Sequence, residues 1–342
     1  MSDYTLGLFA NMYPAFEGDY RGIFIGQMVR DLESRGVTVR KAVKTSPSVL
    51  GYLPFLLRSA RLSRERDLDL MQAEYIPHSS LVPAYLKRPD VPLILKFHGD
   101  DARIYPFRNR FNRMLTMSML RRAAHVITGS EEMKRTLVTL GEKPERISAI
   151  HTGVDTEFFS PLDREECRKS LGLSGDIPVF LFVGRLHPWK GVRELVEVAR
   201  TCPDISFVFL GPGPVPAHTP NCHFTGTQLP GAVKTWMNAA DCLLLPTYTE
   251  SVPTSVMEAF SCGIPAITTD VGGCPEIVEE GKSGLLVPVR DAEKLREAVI
   301  WMAGHPRERR EMGRAARLTV LNRYDHNLLT GKLIAVHTRL IT

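Results

Sequence analysis

Short apolar runs alternate with segments of helical periodicity along the whole chain, which is the pattern of a parallel α/β fold. The first half predicts strands over residues 4–9, 37–43, 68–73, 92–97, 125–128 and 146–150. The second half predicts strands over residues 179–183, 206–210, 222–224, 242–245, 265–268 and 284–287. Helices are predicted between these strands, at 23–35, 107–122, 131–140, 192–201, 233–239, 254–261 and 291–303. Two purely helical segments follow, at 306–323 and about 325–340.

The strand pattern stops near residues 153–161 and restarts after a polar helical segment at 162–170. This break predicts two doubly wound, Rossmann-like domains, over residues 1–155 and 156–324, with a terminal helix over about 325–342 that packs back on the first domain. Open parallel sheets bind ligands at the carboxyl ends of their strands. We therefore expect a ligand site in the crevice between the two sheets.

Composition and charge exclude several other classes of protein. The chain has 342 residues, of which 44% are hydrophobic and 24% charged, as in soluble globular proteins. No apolar run reaches the roughly 18 residues of a membrane span, and the first residues predict a strand rather than a signal peptide. The net charge of +5 is too small to indicate a nucleic-acid partner. Six cysteines without a C-x-x-C pair suit a reducing cytoplasm.

The strongest candidate site is the segment 245–259, which predicts a strand, a turn and then a helix. Pro253 suits the first turn of that helix, where its missing N–H costs nothing. Thr254 and Ser255 add hydroxyls beside free N–H groups, so the helix start offers an anion site. Glu250 and Glu258 offer carboxylates to the paired hydroxyls of a sugar. The alternative is that one glutamate is a loop charge and the other a solvated helix residue.

A second candidate site follows the predicted strand 179–183. The strand ends at Gly184, and Arg185 and Lys190 then flank a Pro-Trp turn. Two cations at the carboxyl end of a strand can neutralise a diphosphate. The alternative is a surface loop with ordinary basic residues. The P-loop and dinucleotide-binding glycine patterns are both incomplete in this chain.

Two weaker candidates lie in the predicted first domain. His98 follows the strand 92–97 and either contacts a ligand or is a structural histidine. Gly18 and Gly22 lie in the loop after the first strand, where glycine lets backbone approach a ligand but also simply makes turns. The acidic pairs at 67–69 and 100–101 are weak metal patterns, and no metal site is predicted.

In combination, these motifs resemble the large retaining glycosyltransferase group usually called family 4. The resemblance covers nearly the whole chain and is densest from about 145 to 320. It is carried by Gly184-Arg185, Lys190-Gly191, Glu250-x7-Glu258, Gly263-Ile-Pro-Ala-Ile, Val271-Gly-Gly-Cys-Pro-Glu276, His98-Gly99, His151-Thr-Gly-Val-Asp155 and Gly284-Leu-Leu-Val-Pro288. It implies the GT-B fold, with two Rossmann-like domains facing a deep cleft. It also implies transfer of a sugar from a nucleotide-sugar with retained anomeric configuration and no catalytic metal.

The resemblance assigns the donor phosphates to the second domain. Gly184, Arg185 and Lys190 should hold the diphosphate of the donor. The backbone that should meet the phosphate or the sugar is that of Val252, Pro253, Thr254 and Ser255.

The resemblance assigns the rest of the donor to both domains. Glu258 should bind the ribose hydroxyls, and Glu250 should contact the donor sugar near its 3-hydroxyl. His98 and the loop around Gly18 should close over the sugar. The catalytic set implied is Glu250, His98, Arg185 and Lys190. The chain departs from the family pattern in the first loop, which lacks adjacent glycines, and after Gly213, where it is short and proline-rich.

Two segments of the first domain, at 49–64 and 103–122, are basic, contain no acidic residue and carry apolar positions at helical spacing. A basic helix with an apolar face can lie on anionic lipid. The hypothesis is peripheral contact with the inner face of a membrane, and the alternative is an ordinary helix with a solvated face and a core face.

The sequence therefore predicts a cytoplasmic, metal-independent glycosyltransferase with no cofactor. Its co-substrate is a nucleotide-diphosphate sugar, and its acceptor is a carbohydrate or a lipid-linked molecule in polysaccharide, glycolipid or other glycoconjugate synthesis. A front-face mechanism suits a chain without an evident nucleophile. The alternatives are an epimerase or phosphorylase on the same fold, or a non-catalytic scaffold that binds nucleotide-sugars.

Overall fold

The computed structural model describes residues 3–16, 22–173 and 177–342. The chain divides into two compact units, of which the first comprises Met1–Thr152 with Asn327–Thr342 and the second comprises Gly153–His326. The last helix of the chain therefore belongs to the same unit as the first strand.

The first unit is built on a parallel sheet of six strands in the order β2-β1-β3-β4-β5-β6. These strands are β1 (Thr5–Ala10), β2 (Thr38–Val43), β3 (Leu70–Glu74), β4 (Leu93–Phe97), β5 (His125–Thr128) and β6 (Ile147–Ala149). The helices around the sheet are α1 (Ile23–Glu33), α2 (Tyr52–Leu62), α3 (Leu81–Leu86), α4 (Asp100–Arg103), α5 (Arg110–Leu120), α6 (Glu131–Thr139) and the terminal α14 (His326–Ile341).

Both faces of this first sheet are buried, because successive side chains of a strand point to opposite faces. In β4, Leu93, Leu95 and Phe97 belong to an apolar cluster that includes residues of α5 and α6. Ile94 belongs to the opposite cluster, with residues of α1 and α14. The helix α14 thus forms part of the apolar core over one face of the sheet.

The second unit repeats the architecture, with a six-stranded parallel sheet in the order β12-β11-β10-β7-β8-β9. Its strands are β7 (Val179–Val183), β8 (Ser206–Leu210), β9 (Cys222–Gly226), β10 (Cys242–Leu245), β11 (Ala266–Thr269) and β12 (Gly284–Val287). Its helices are α7 (Arg164–Ser170), α8 (Val192–Thr201), α9 (Pro230–Ala239), α10 (Thr254–Ser261), α11 (Cys274–Ile277), α12 (Ala292–Gly304) and α13 (Pro306–Arg323).

The predicted α/β class with doubly wound, Rossmann-like units is confirmed by these two sheets. Each predicted strand is present, and those at 125–128, 179–183, 206–210, 242–245 and 284–287 have the predicted bounds. The short helices α3, α4 and α11 were not predicted, because four to six residues are too few to show a helical period. One local prediction is wrong: Pro253 precedes α10 as its N-cap residue and does not lie in the first turn.

A buried carboxylate, that of Asp241, holds several elements of the second unit together. Its Oδ1 accepts from Arg164 and Arg309 at 2.7 Å each, and its Oδ2 accepts from Arg168 and from the backbone N–H of Val179 at 2.8 Å each. These bonds join the start of β10 to α7, α13 and β7. The carboxylate and Arg168 are almost fully buried, so water cannot stabilise either charge. Each charge is therefore stabilised by the other.

We expect Asp241→Ala to lower the free energy of unfolding by about 3–5 kcal/mol, because it leaves buried guanidinium groups without a counter-charge. Urea denaturation measures this loss. Asp291→Ala is the control, since Asp291 caps α12 through the N–H of Lys294 at 2.9 Å. Loss of such a cap costs about 1 kcal/mol. Equal losses of unfolding free energy in the two variants would contradict the stabilising role of the Asp241 carboxylate.

Candidate active site

The candidate donor site is built by the two loops that follow β7 and β10, which are neighbouring parallel strands. Gly191 has φ +70°, and a Cβ at this position would lie 2.1 Å from the carbonyl oxygen of Pro246. The carbonyl oxygen of Trp189 accepts from the N–H of Tyr248 at 2.8 Å and from Thr247 Oγ1 at 3.1 Å. Only glycine permits this approach, so Gly191 allows the two loops to lie side by side.

This approach brings Lys190 and Glu250 into contact. Lys190 Nζ lies 2.5 Å from Glu250 Oε2, and the two side chains are 30% and 14% exposed. The backbone N–H of Ser251 also donates to Glu250 Oε1 at 3.1 Å. The interpretation of Glu250 as an isolated loop charge therefore does not hold. The residues predicted to hold the diphosphate and the donor sugar form one ion pair.

Arg185 follows the end of β7 and is exposed. Among the residues that the structure describes, it forms no side-chain hydrogen bond or ion pair. The backbone beside it is fixed, because Gly184 donates to the carbonyl of Leu210 at 2.9 Å and a Cβ on Gly211 would lie 1.9 Å from the carbonyl oxygen of Gly184. Arg185 therefore presents a solvated guanidinium from a rigid loop.

The start of α10 lies at the end of the second loop. Pro253 is the N-cap residue and provides no side-chain cap, and Thr254 donates its N–H to the carbonyl of Val252 at 2.9 Å. Thr254 is exposed and Ser255 half-buried. Val256 donates its N–H to the carbonyl of Pro253 at 3.0 Å, so among the described residues the N–H of Ser255 is the first-turn donor without a backbone partner. The N-terminus of a helix also carries a partial positive charge. This helix start can therefore bind an anion.

Glu258 lies in the second turn of α10, and its carboxyl forms no hydrogen bond with any residue in the described ranges. Burial raises the pKa of Glu258 to about 8. Glu258 is half-buried in the structure, so the interpretation of Glu258 as a solvated helix residue does not hold. A carboxyl that is neutral near pH 7 both donates and accepts hydrogen bonds, so it can bind a pair of hydroxyls.

The raised pKa of Glu258 makes stability depend on pH. Between the ordinary pKa of 4.5 and the folded-state pKa of about 8, the folded protein keeps a proton that the unfolded chain releases. The free energy of unfolding therefore falls as pH rises through this window. We expect Glu258→Gln to be more stable than wild type at pH 8 and to differ little near pH 4.5. Melting temperatures across this range measure the difference, and a variant less stable at pH 8 would contradict the assignment.

His98 lies in the first unit, immediately after β4. Its Nε2 lies 2.5 Å from Glu74 Oε2, and its side chain is only 7% exposed. Its ring lies against Phe24 and Tyr75, with centroids 5.0 and 4.4 Å away. Tyr75 has φ +64°, an unfavourable conformation for a bulky residue that sets its ring beside His98.

The loop that carries His98 is fixed by Asp101. Its carboxylate accepts from the backbone N–H groups of His98 at 3.0 Å, Gly99 at 2.7 Å and Ile76 at 3.1 Å. Asp101 therefore positions backbone and is not placed as a metal ligand. Gly18 lies outside the described residues. Within the described ranges, no cluster of three or more metal-ligating side chains occurs.

Sequence reasoning did not identify Glu74 or the ion pair between Lys190 and Glu250. The signal for Glu74 was a carboxylate directly after the predicted strand 68–73; it is the last residue of β3, whose residues are all buried, and an unpaired charge there would be costly. The signal for the ion pair was opposite charges on loops that follow neighbouring strands.

Both halves of the chain match family models of sugar-transferring enzymes. The model described as Glycosyltransferase Family 4 matches residues 9–158, and the model described as Glycosyl transferases group 1 matches residues 163–319. The two matches span most of the chain. Together with the two Rossmann-like units, they show that the chain belongs to the group 1 glycosyltransferases and has the GT-B fold.

One curated relative agrees with the family, and two solved structures agree with the fold. The TuaC protein of Bacillus subtilis (strain 168), a candidate teichuronic acid biosynthesis glycosyltransferase, is 30% identical over 69% of this chain and 62% of its own. Sucrose-phosphate synthase from Thermosynechococcus elongatus has a TM-score of 0.85 at 19% identity, over 98% of this chain and 99% of its own. HepE of Anabaena, solved with UDP-glucose, has a TM-score of 0.78 at 18% identity, over 98% of this chain and 100% of its own. The chain spans about half to three-fifths of the length of the curated relatives it matches.

Proposed function

We propose that this chain transfers a sugar from a nucleotide-diphosphate sugar to a carbohydrate or lipid-linked acceptor, with retention of anomeric configuration and without a metal or other cofactor. The observation that supports the proposal is the grouping of Arg185, the Lys190–Glu250 pair, the start of α10 and Glu258 at the carboxyl ends of β7 and β10. Cations and helix N–H groups suit phosphates, and carboxyls suit sugar hydroxyls.

The proposed chemistry takes place on one face of the donor sugar. The bond between the anomeric carbon and the leaving phosphate oxygen breaks, and the acceptor oxygen bonds to the same face. The proton of the acceptor hydroxyl passes to the leaving phosphate. Arg185, Lys190 and the start of α10 stabilise the charge that develops on the diphosphate. A trapped covalent adduct between sugar and enzyme would contradict this mechanism.

Relatives support the substrate class. HepE was solved with UDP-glucose, which is a nucleotide-diphosphate sugar. TuaC is named for teichuronic acid biosynthesis, which is consistent with a role here in polysaccharide, glycolipid or other glycoconjugate synthesis.

We expect one class of sugar nucleotide, among UDP-, GDP-, ADP-, CMP- and TDP-linked sugars, to raise the melting temperature of the wild type by several degrees. A ligand at 100 times its dissociation constant stabilises a protein by about 2.7 kcal/mol. Lys190→Ala should lose this shift, because the diphosphate then lacks its ammonium partner. Differential scanning fluorimetry measures both results.

Lys282→Ala is the matched control, because Lys282 is an exposed lysine of the same unit that pairs with Glu279 at 2.9 Å. It should keep the full shift. A shift that persists in Lys190→Ala would contradict the diphosphate role, and no shift with any donor would contradict the proposed activity.

Product analysis then separates transfer from epimerisation or phosphorolysis, and donor binding without turnover would identify a scaffold.

We also propose that the first unit contacts an anionic membrane surface from the cytoplasmic side, through what we call the apolar–basic surface. Its exposed apolar members are Val49, Leu50, Leu53, Leu57, Leu81, Tyr85, Phe107, Phe111 and Met114. Its exposed basic members are Arg58, Arg61, Arg108, Arg110 and Arg113. Among the described residues, no helix is long and apolar enough to cross a membrane.

The members of the apolar–basic surface lie on adjoining elements. The ring of His78 lies 6.1 Å from that of Tyr52 in α2 and 6.3 Å from that of Tyr105 before α5. Tyr85 of α3 bonds to Ser118 of α5 at 2.8 Å. Exposed apolar groups beside arginines are the combination that binds the interface of an anionic bilayer.

We expect the protein to sediment with phosphatidylcholine vesicles that contain about 30% phosphatidylglycerol at low salt, and not with phosphatidylcholine alone. Arg110→Glu/Arg113→Glu should weaken binding about tenfold or more, since each basic residue near the surface contributes about 1 kcal/mol. Arg310→Glu/Arg314→Glu, an exposed pair of α13 in the second unit, is the matched control. Equal losses in the two variants, or no sedimentation of the wild type, would contradict the proposal.

A further inference from the structure

A continuous series of hydrogen bonds joins the terminal helix α14 to His98. Tyr4 Oη lies 2.6 Å from His337 Nδ1, and His337 Nε2 lies 2.8 Å from Gln72 Oε1. Gln72 Nε2 bonds to Glu74 Oε1, and Glu74 Oε2 lies 2.5 Å from His98 Nε2. Tyr4, His337, Gln72 and Glu74 are buried in the first unit, and His98 follows β4 in the same unit.

The donors and acceptors in this series are determined by chemistry. A carboxylate only accepts, so the amide of Gln72 must turn its N–H toward Glu74 and its oxygen toward His337. His337 therefore carries its proton on Nε2 and accepts from the hydroxyl of Tyr4 on Nδ1. From the other side, His98 must donate its Nε2–H to Glu74. The hydrogen bonds from Gln72 and from His98 therefore both end on the carboxylate of Glu74.

The charges inside the unit are consistent with an ionised Glu74. Burial by itself raises the pKa of Glu74, but the charge of Lys96 and the hydrogen bonds from His98 and Gln72 outweigh burial and lower it. Burial and the charge of Lys96 lower the pKa of His337 to about 3, so this imidazole is neutral. Lys96 is itself buried, with its ammonium 3.3 Å from Met28 Sδ, and supplies the positive charge that Glu74 requires.

We propose that Glu74 is the positioning residue for His98, and that Gln72 and His337 hold Glu74 in place. By accepting the Nε2–H of His98, the carboxylate fixes the ring tautomer and its orientation between Phe24 and Tyr75. The Nδ1 lone pair of His98 is then the atom that accepts a hydrogen bond from a hydroxyl of the substrate. This last step rests on the proposed function, whereas the tautomer of His98 does not.

The arrangement favours a positioning role over packing alone. Replacing buried charged groups by apolar side chains of similar volume is often neutral or stabilising, so a core has no need of this set of polar residues. A buried partner that fixes one ring nitrogen of a histidine sets which nitrogen is left to act. At metal-ligating histidines, replacing such a partner costs about 10–100-fold in affinity or activity, and we expect a loss of the same order for His98.

The decisive measurement is the tautomer of His98, read from ring nitrogen shifts in protein labelled with nitrogen-15 in its histidines, with His98→Asn to assign the signal. We expect the wild type to show a proton on Nε2 and a lone pair on Nδ1. A wild-type ring protonated at Nδ1 would overturn the proposal without reference to any variant.

Glu74→Gln should shift His98 toward the Nδ1-protonated tautomer, because the N–H of Gln72 engages the oxygen of the new amide, which leaves the amide nitrogen to donate to Nε2. Should the uncompensated Lys96 prevent this variant from folding, Glu74→Gln/Lys96→Met removes both charges and tests the same point. Tyr4→Phe is the control, because it removes only the hydrogen bond from Tyr4 to His337 Nδ1. It should move the nitrogen signals of His337 and leave those of His98 unchanged. An unchanged His98 in a folded Glu74 variant would contradict the proposal.

Activity provides the second readout. With a donor that binds the wild type, Glu74→Gln should lower the rate of nucleotide release about 10–100-fold while the donor-induced thermal shift is kept. An unchanged rate would contradict the positioning role. If no donor binds the wild type, the proposed function fails, but the tautomer of His98 still decides whether Glu74 holds this ring.

Discussion

The close approach of the loops after β7 and β10 is the constraint on which the donor side of the second unit depends. Parallel pairing places the ends of these strands beside each other, and Gly191 lets the backbone pass within contact of Pro246. Hydrogen bonds from the second loop to Trp189 then hold the turn. The ion pair between Lys190 and Glu250 follows from this backbone contact. A side chain at position 191 would separate the loops and the two charges together.

The carboxyl groups of Asp241, Glu74 and Glu258 are of two kinds. Asp241 and Glu74 are each surrounded by cations and hydrogen-bond donors, which compensate for lost hydration. Glu258 has no such partner among the described residues, and burial keeps it protonated instead. The first kind stabilises or orients protein groups. The second kind retains its full capacity for hydrogen bonds with a ligand.

Sequence patterns predicted the strands well because they are continuous apolar runs bounded by Gly, Pro and polar residues. The second-unit candidates Arg185, Lys190, Glu250 and the start of α10 were predicted from their positions after strands. The contact between Lys190 and Glu250 could not be predicted, because it depends on how closely two loops approach. Glu74 was missed because its partners lie far apart in the sequence. Lys96 belongs to β4 and His98 follows it, and Gln72 connects Glu74 to His337 of α14. A spacing pattern within one segment cannot reveal such a set.

The return of α14 to the first unit has a consequence for synthesis on the ribosome. Leu329, Leu333 and Val336 complete one apolar cluster over the first sheet, and they are made only after the second unit. Domains generally fold in the order in which they emerge. Here the second unit has all its residues before the first has its final helix. One face of the first sheet therefore stays incompletely covered until α14 has been made, and apolar surface exposed in this way favours aggregation of the nascent chain.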